Sequence, residues 1–246
     1  VLHRLDLGGG EAQEFLRLRY AVSDIAFVTP EDFFFVATFD PFVESLPADD
    51  ADGAAKRIKE ESDYLVFDEI PFWRNGQGIT NKKRSRLYRC ANGTAAALTD
   101  ELTDIQDMRL SPDKGRLYFE ATRFSDKMET SNRLFVLEVD NSSIKDISIA
   151  EGFSHGAFIE VEPGTLLVHG SDMKAYGLNQ NGSFWRHAYA AGTTSLIEDS
   201  HDRNVGNSVG SDCKMGGPGE PEWARGPGGL VYFVETIDDS SHLRAI

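Results

Sequence analysis

The chain has 246 residues and a formal net charge of −15 at pH 7. This acidity argues against binding to a phosphate backbone, which requires clustered lysines and arginines, so we expect no nucleic-acid partner. Hydrophobic residues make up 40% of the chain and charged residues 26%, as is ordinary for a globular protein. No apolar run approaches the roughly 20 residues of a membrane span, and the start has no signal-peptide layout. We therefore predict a soluble, cytoplasmic protein without a membrane partner.

The first 39 residues predict pieces of two antiparallel sheets. Residues 1–18 predict two strands around a turn at Gly8, Gly9 and Gly10, resembling the last two strands of a four-stranded blade. Because the start also lacks a Met, we expect the chain to be cut from a longer one. Residues 19–39 predict the first two strands of the next blade, with a turn at Pro30.

Residues 40–84 interrupt this second blade. The acidic stretch 40–52, which contains Pro41 and Pro47, predicts a loop. Residues 54–61 have helical composition, residues 64–70 (YLVFDEI) predict a strand, and residues 71–78 predict an aromatic-rich turn. The blade resumes at 86–90, turns at Asn92 and Gly93, and ends near 99. We therefore predict an insertion between the second and third strands of this blade.

Later segments repeat the order of strand, Pro or Gly turn, strand and third strand. The turn prolines of the copies are Pro30, Pro112, Pro163 and Pro227. Blades of about 40–50 residues with this order predict an all-β fold, a β-propeller. It would be a partial array of about four to five four-stranded antiparallel blade units with truncated ends, in one domain over 1–246. The predicted pieces are 1–18, 19–102, 103–149, 150–199 and 200–246; a β-sandwich is the alternative fold.

The sequence offers little catalytic chemistry of its own. Ser208 lies in a G-x-S-x-G match, and Asp212 and His242 follow in hydrolase order. A nucleophile elbow needs a buried strand before the serine and a helix after it, whereas polar and glycine-rich residues flank Ser208. We therefore predict that Ser208 forms a turn and that Asp212 accepts bonds from loop N–H groups. Two cysteines and six histidines show no metal-ligand spacing, so we predict no metal and no cofactor.

Several passages together resemble the N-terminal β-propeller of the prolyl oligopeptidase family, in particular its acylaminoacyl-peptidase and dipeptidyl-aminopeptidase branch. They are 68–76 (DEIPFWRNG) with 86–88, 110–113, 172–174 with 176–177, and 205–212. Proteins of this family are two-domain serine peptidases whose propeller caps a C-terminal α/β-hydrolase domain and restricts access to oligopeptides or blocked peptides. This chain has fewer blades than the usual seven, and no family triad residue has a counterpart in it. The resemblance therefore implies a substrate-gating domain that is inactive alone and has a hydrolase domain and peptides as partners.

The elaborate loops are expected on one face of the propeller. The insertion 40–84 and the loop 172–181 join second to third strands, and 200–219 leads into a blade; in antiparallel blades these connections emerge on the same side. Function-bearing loops cluster on one side of a rigid scaffold. The candidates for substrate gating or for the domain interface are Phe72, Trp73, Arg74 and Asp212. Arg74 could pair with a peptide carboxylate, while Phe72 and Trp73 could instead simply pack the insertion.

Two other functions remain open at this point. A free-standing propeller could serve as a binding module, and a five-bladed propeller glycosidase would need inward carboxylates such as Asp24 or Asp107. These two residues occupy like positions in two repeats, which favours a structural role. Open blade edges also leave a homo-oligomer or strand exchange as a hypothesis.

Overall fold

The structure, a computed structural model, describes residues 1–17, 21–47, 50–199, 204–207, 209 and 223–246. The chain divides into two compact units. The first comprises Val1–Leu110, Lys114–Glu129 and Leu137–Ser143, and the second comprises Ser111–Asp113, Thr130–Val136 and Ile144–Ile246. The single domain over 1–246 and its division into blade pieces stay predictions.

Strands dominate the described part of the chain. The elements up to residue 110 are β1 (Leu2–Arg4), β2 (Gln13–Leu16), β3 (Val22–Thr29), β4 (Asp32–Phe39), α1 (Pro41–Ser45), α2 (Ala51–Glu60), β5 (Trp73–Arg74), β6 (Gly78–Ile79), β7 (Arg84–Ala91), β8 (Thr94–Ala97) and β9 (Thr103–Leu110). The later strands are β10 (Arg116–Arg123), β11 (Arg133–Glu138), β12 (Ile144–Asp146), β13 (Ser154–Glu162), β14 (Thr165–Ser171), β15 (Ser183–Ala188), β16 (Thr193–Glu198), β17 (Asn204–Val205), β18 (Trp223–Arg225), β19 (Val231–Ile237) and β20 (Ser240–Ala245). Short 3-10 helices lie at Gly177–Asn179 and Pro227–Gly229.

In the part of the chain that the structure describes, four sheets contain four strands each. Three of them are simple meanders, with the orders β3-β4-β7-β8, β9-β10-β11-β12 and β13-β14-β15-β16. In the last sheet β19 pairs with β17 and β18 along different parts of its length and with β20 along nearly all of it. Successive four-stranded antiparallel meanders are the blades of a β-propeller. The predicted fold class, an all-β propeller made of partial blade units, is therefore confirmed.

The second strands of the blades are buried on both faces. In β4 the apolar residues from Phe33 to Phe39 are all buried, because β3 and β7 flank the strand and other side chains cover both of its faces. Such a strand is a continuous apolar run rather than an alternating one. The β7–β8 hairpin turns at Asn92 and Gly93, which both have positive φ, as a two-residue hairpin loop requires.

Each unit has its own apolar cluster. In the first unit Phe33, Phe35, Ala37 and Cys90 form a buried cluster, on which Leu2, Phe15 and Leu16 of the β1–β2 ribbon pack. In the second unit Phe184, Trp223 and Phe233 meet with ring centroids 4.8–6.2 Å apart. These clusters hold the sheets in which the loops described below are rooted.

Three local predictions are wrong. The stretch 40–52 is not wholly a loop, because α1 begins directly after Asp40. Residues 64–70 form no strand; Ile70 makes a single bridge to Lys127, and the rest has no regular partner. The segment 200–219 is not loop throughout, since its described part includes β17.

Candidate functional site

The insertion leaves and re-enters its blade between neighbouring strands. Phe39 at the end of β4 is the cross-strand partner of Arg84 at the start of β7. Residues 40–83 therefore project from one end of the sheet. They form α1, α2, an irregular stretch and the two-stranded ribbon β5–β6.

The helices of the insertion begin at capping aspartates. The Asp40 side chain accepts a hydrogen bond from the Phe42 N–H at 2.9 Å, and Pro41 occupies the first turn of α1. Asp50 accepts from the Gly53 N–H at 2.9 Å at the start of α2. Both satisfy N–H groups that a helix start leaves without a partner.

A buried ion pair fixes the middle of the insertion to the blade. The side chains of Glu69 and Arg84 are 0% and 2% exposed, and Arg84 donates to both carboxylate oxygens, at 3.1 and 2.7 Å. Burial raises the pKa of the Glu69 carboxyl, but hydrogen bonds from Arg84 and the Lys82 N–H outweigh it and leave the pKa below its usual value. The Arg84 guanidinium also lies 3.8 Å from the centroid of the Phe124 ring. These hydrogen bonds therefore favour the charged form of Glu69.

A second contact set joins the insertion to the loop after β10. The Ile70 N–H donates to the Asp126 carbonyl at 2.7 Å, and the Met128 N–H donates to the Ile70 carbonyl at 2.8 Å. Arg74 Nη2 lies 3.3 Å from Asp104 Oδ2 and 3.2 Å from Met128 Sδ. The insertion thus meets the connection between the second and third strands of the following sheet.

These contacts surround a polar cleft of about 620 Å³. Arg74, Thr80 and Lys83 of the insertion line it, with Asp104 and Gln106 of β9. Asp104 is buried, and its second oxygen accepts from the Ser85 N–H at 2.8 Å. Arg74 contacts both Asp104 and Met128 through Nη2. A ligand carboxylate could bind the Arg74 guanidinium if it competed with the Asp104 carboxylate for it.

The insertion also exposes an apolar surface, which we call the apolar segment (residues 64–73). Tyr64 is 75% exposed, Val66 67% and Trp73 54%. Leu65, Phe67, Ile70 and Phe72 are exposed as well, whereas Glu69 among them is buried. Phe67 and Phe72 stack with centroids 4.6 Å apart. A groove of about 750 Å³ runs beside the segment, with Ile58 of α2 and Phe42 of α1 in its lining. Contiguous exposed apolar residues of this kind mark interaction sites.

The predicted site residues divide into two groups. Phe72 and Trp73 lie on the apolar segment, and Arg74 lies in the polar cleft, already paired with Asp104. Asp212 and Ser208 lie outside the described residues, so their roles stay predictions. The loop 172–181 is held by its own bonds, with Gln180 donating to Asp172 at 3.0 Å, and its position on a shared face stays a prediction.

Sequence reasoning missed Glu69, Arg84 and Asp104 as site-forming residues. The available signal for Glu69 was that Asp68 and Glu69 are the two carboxylates of 64–73 and have apolar residues on both sides of the pair. Arg84 and Asp104 carried no such signal, because their partners Glu69 and Arg74 lie 15 and 30 residues away in the chain, and no local pattern predicts such contacts.

The structure also shows the surroundings of Asp24 and Asp107, the two carboxylates considered for glycan hydrolysis. Burial raises the pKa of Asp24, the Ile25 N–H bond opposes this, and the nearby Asp107 charge raises it further. Asp107 itself accepts from Arg109 at 3.3 Å.

Within the described ranges, no group of three or more His, Cys, Asp or Glu side chains could hold a metal ion. None of the helices in the described part of the chain is long and apolar enough to cross a bilayer.

The fold and the insertion define a β-propeller array with a loop that exposes apolar side chains. Among solved structures, the chain is similar to Pyrococcus horikoshii acylaminoacyl peptidase, with 12% identity and a TM-score of 0.60, over 96% of this chain and 32% of that one. It is similar to a Mycobacterium tuberculosis puromycin-hydrolyzing peptidase, with 11% identity and a TM-score of 0.55, over 95% and 31%. It is also similar to a prolyl endopeptidase, with 12% identity and a TM-score of 0.55, over 99% and 29%.

These likenesses establish the fold. The predicted resemblance to prolyl oligopeptidase-family peptidases is confirmed at that level, and the chain spans about a third of the length of these three structures. No protein-family model matches the sequence, and no curated protein matches it.

Proposed function

We propose that this chain is the substrate-gating propeller domain of a serine oligopeptidase of the acylaminoacyl- or dipeptidyl-peptidase type. The observation that carries the proposal is the apolar segment, an exposed surface held in place by the buried Glu69–Arg84 pair. Three similar structures are peptidases about three times as long as this chain, which leaves room for a catalytic domain elsewhere in the parent protein.

The two parts of the insertion would then have different roles. The apolar segment would pack against an α/β-hydrolase domain of the same parent protein, because an exposed apolar surface gains free energy when a partner covers it. The polar cleft would face peptide substrates, whose carboxylate Arg74 would bind in competition with Asp104. We expect no catalytic triad in this chain and therefore no peptidase activity of the chain alone. Its cytoplasmic location stays a prediction.

A peptidase assay tests the proposal. The chain would be compared with the longer protein that its gene encodes, using acyl-amino-acid and dipeptidyl chromogenic substrates. Activity in the longer form alone is the expected result, and activity of the chain itself that is lost in Ser208→Ala would contradict it.

Variants of the longer protein test the gating surface separately. Trp73→Glu places a charge on the apolar segment and is expected to raise kcat/KM for long peptides relative to short chromogenic ones, because a loosened contact with the hydrolase domain would restrict access less. Leu196→Glu, at an apolar residue of the strand β16 that is 51% exposed against 54% for Trp73, is the matched control. Equal effects of the two variants would count against the interface.

A free-standing binding module is the second candidate, because the apolar segment would serve a separate protein partner equally well. That function predicts that the gene encodes no hydrolase domain. The glycosidase alternative gains no support from Asp107, whose carboxylate is bonded to Arg109.

A further inference from the structure

Residues 64–68, the first part of the apolar segment, form an extended stretch without a strand partner. The structure shows no helix, turn or bend over this stretch, and none of its residues has a positive φ. Its sequence, YLVFD, has the aromatic and β-branched content of a strand. The backbone is therefore already in the conformation that pairing with another strand requires.

The two backbone edges of this stretch have different surroundings. In an extended chain the N–H and C=O groups of every second residue point to the same side. The Val66 carbonyl accepts a hydrogen bond from Asn81 Nδ2 at 3.0 Å, so the edge of Val66 faces the rest of the insertion. Among the described residues, none bonds to the backbone of Leu65 or Phe67. We call the edge formed by the N–H and C=O groups of these two residues the open edge.

The apolar groove of about 750 Å³ lies beside this stretch. Residues 64–67 form one wall, and Phe42 of α1 and Ile58 of α2 belong to the other. Phe72 and Trp73 are not part of the groove lining. The apolar segment is thus divided: its beginning borders the groove, and its end remains available for the contact with a hydrolase domain.

The charges of the groove are compensated within the insertion. Every charged residue of its lining has an ion-pair partner, and the pairs are Lys83 with Asp40, Lys82 with Asp68, Glu60 with Lys56 and Glu61 with Arg57. A charged ligand would have to compete with these pairs. The groove therefore favours an uncharged ligand that gains its affinity from apolar contacts and main-chain hydrogen bonds.

We propose that the open edge binds an uncharged peptide in an extended conformation, whose main chain pairs with Leu65 and Phe67 and whose apolar side chains enter the groove. Main-chain pairing gives affinity, and the groove selects the alternate side chains. Ile79 and Lys83 line both the groove and the polar cleft, so a bound peptide would continue towards the cleft. That this peptide is a substrate of the parent peptidase rests on the proposed function; the peptide site itself does not.

Binding of a synthetic peptide to the purified chain tests the proposal. The probe is acetyl-Thr-Val-Thr-Val-Thr-amide, which has no charge and has apolar side chains at alternate positions. Nuclear magnetic resonance titration of the isotope-labelled chain measures binding, and amide hydrogen exchange locates it. We expect exchange at the Leu65 and Phe67 amides to become at least fivefold slower, with no change at Val66. Binding should not depend on salt concentration, and a probe with Glu in place of both Val residues should bind at least tenfold more weakly.

Two matched comparisons separate main-chain pairing from apolar contact alone. Leu65→Pro removes an N–H group from the open edge, whereas Val66→Pro removes one from the opposite edge, and both side chains are well exposed, at 58% and 67%. We expect Leu65→Pro to weaken binding at least tenfold and Val66→Pro at most threefold. Circular dichroism verifies that both variants are folded. On the probe, N-methylation of the two Val residues or of the three Thr residues should abolish binding in one case only, and this comparison needs no variant of the chain.

Three outcomes would overturn the proposal. They are no binding at millimolar peptide, equal losses within both matched comparisons, or a concentration-dependent dimer of the chain that Leu65→Pro abolishes, which would make a second copy the occupant. The peptide measurement requires no catalytic domain. Peptide binding without activity of the longer protein would reject the proposed function but keep the peptide site, whereas activity of the longer protein without peptide binding would reject only the site.

Discussion

Removing the Glu69 carboxylate should destabilise the protein strongly. In Glu69→Ala the Arg84 guanidinium stays buried and keeps only the Phe124 and Lys83 carbonyls, at 3.2 and 2.8 Å, as hydrogen-bond acceptors. Breaking a buried ion pair from one side costs about 3–5 kcal/mol, because it leaves an uncompensated charge. The two remaining acceptors place the expected loss at about 3 kcal/mol. Replacing both partners, Glu69→Ala with Arg84→Met, should recover most of that loss, since no buried charge remains.

Urea unfolding followed by tryptophan fluorescence and far-UV circular dichroism measures these changes. The matched control is Glu162→Ala, which breaks an exposed pair with Arg186 and should cost at most about 0.5 kcal/mol. Limited proteolysis within residues 64–73 gives a local readout, because the apolar segment loses its attachment in Glu69→Ala. A Glu69→Ala loss no larger than that of Glu162→Ala, with unchanged proteolysis, would refute the idea that the pair holds the insertion.

Three further predictions concern pH, a helix cap and an ion pair. Burial, with a smaller contribution from the charge of His187, lowers the pKa of His155 to about 4. As the pH falls, the unfolded chain therefore binds the proton at this histidine before the folded chain does. The free energy of unfolding should consequently drop by about 3 kcal/mol between pH 6.5 and pH 4. Urea titrations across this range should show the drop in the wild type and a smaller one in His155→Gln; equal slopes would contradict it. Asp40→Ala removes the N-cap of α1 and should cost about 1 kcal/mol in urea unfolding, whereas Asp40→Asn should cost less, and equal losses would argue against capping. Asp32 and Arg89 are 2.7 Å apart and about a quarter exposed, so a double-mutant cycle with alanine should give a coupling of about 1 kcal/mol, and a coupling near zero would show that solvent screens the pair.

The blades could be predicted from the sequence because their signals are local. Alternating or continuous apolar runs joined by Pro and Gly turns fix strand positions, and the hairpin turn at Asn92 and Gly93 needs no distant partner. The helix α1 also had a local signal, since an aspartate followed by proline at 40–41 is an N-cap with proline in the first turn. The prediction of a loop at 40–52 rested instead on the presence of Pro41 and Pro47.

The candidate site could be predicted only in outline. Residues 64–70 have strand composition, yet the structure leaves most of them without a sheet partner and exposes their apolar side chains. Composition gives no information on whether a partner strand exists. The contacts that shape the site, Glu69 with Arg84 and Arg74 with Asp104, join residues that only the folded chain brings together.

The point where the insertion joins the blade has a consequence for how such a domain can change. Because Phe39 and Arg84 are direct cross-strand partners, the chain departs and returns one strand spacing apart, about 5 Å. The hydrogen bonds between β4 and β7 require only that residues 40–83 close a loop between Phe39 and Arg84. The entropic cost of closing this loop rises by only about 0.6 kcal/mol for each doubling of its length. This segment could therefore grow, shrink or be exchanged in evolution while the blade stays the same. Arg84 of β7 would have to change together with the insertion, because its buried charge is paired with Glu69. A related protein whose insertion lacks Glu69 would therefore be expected to carry an apolar side chain at this position.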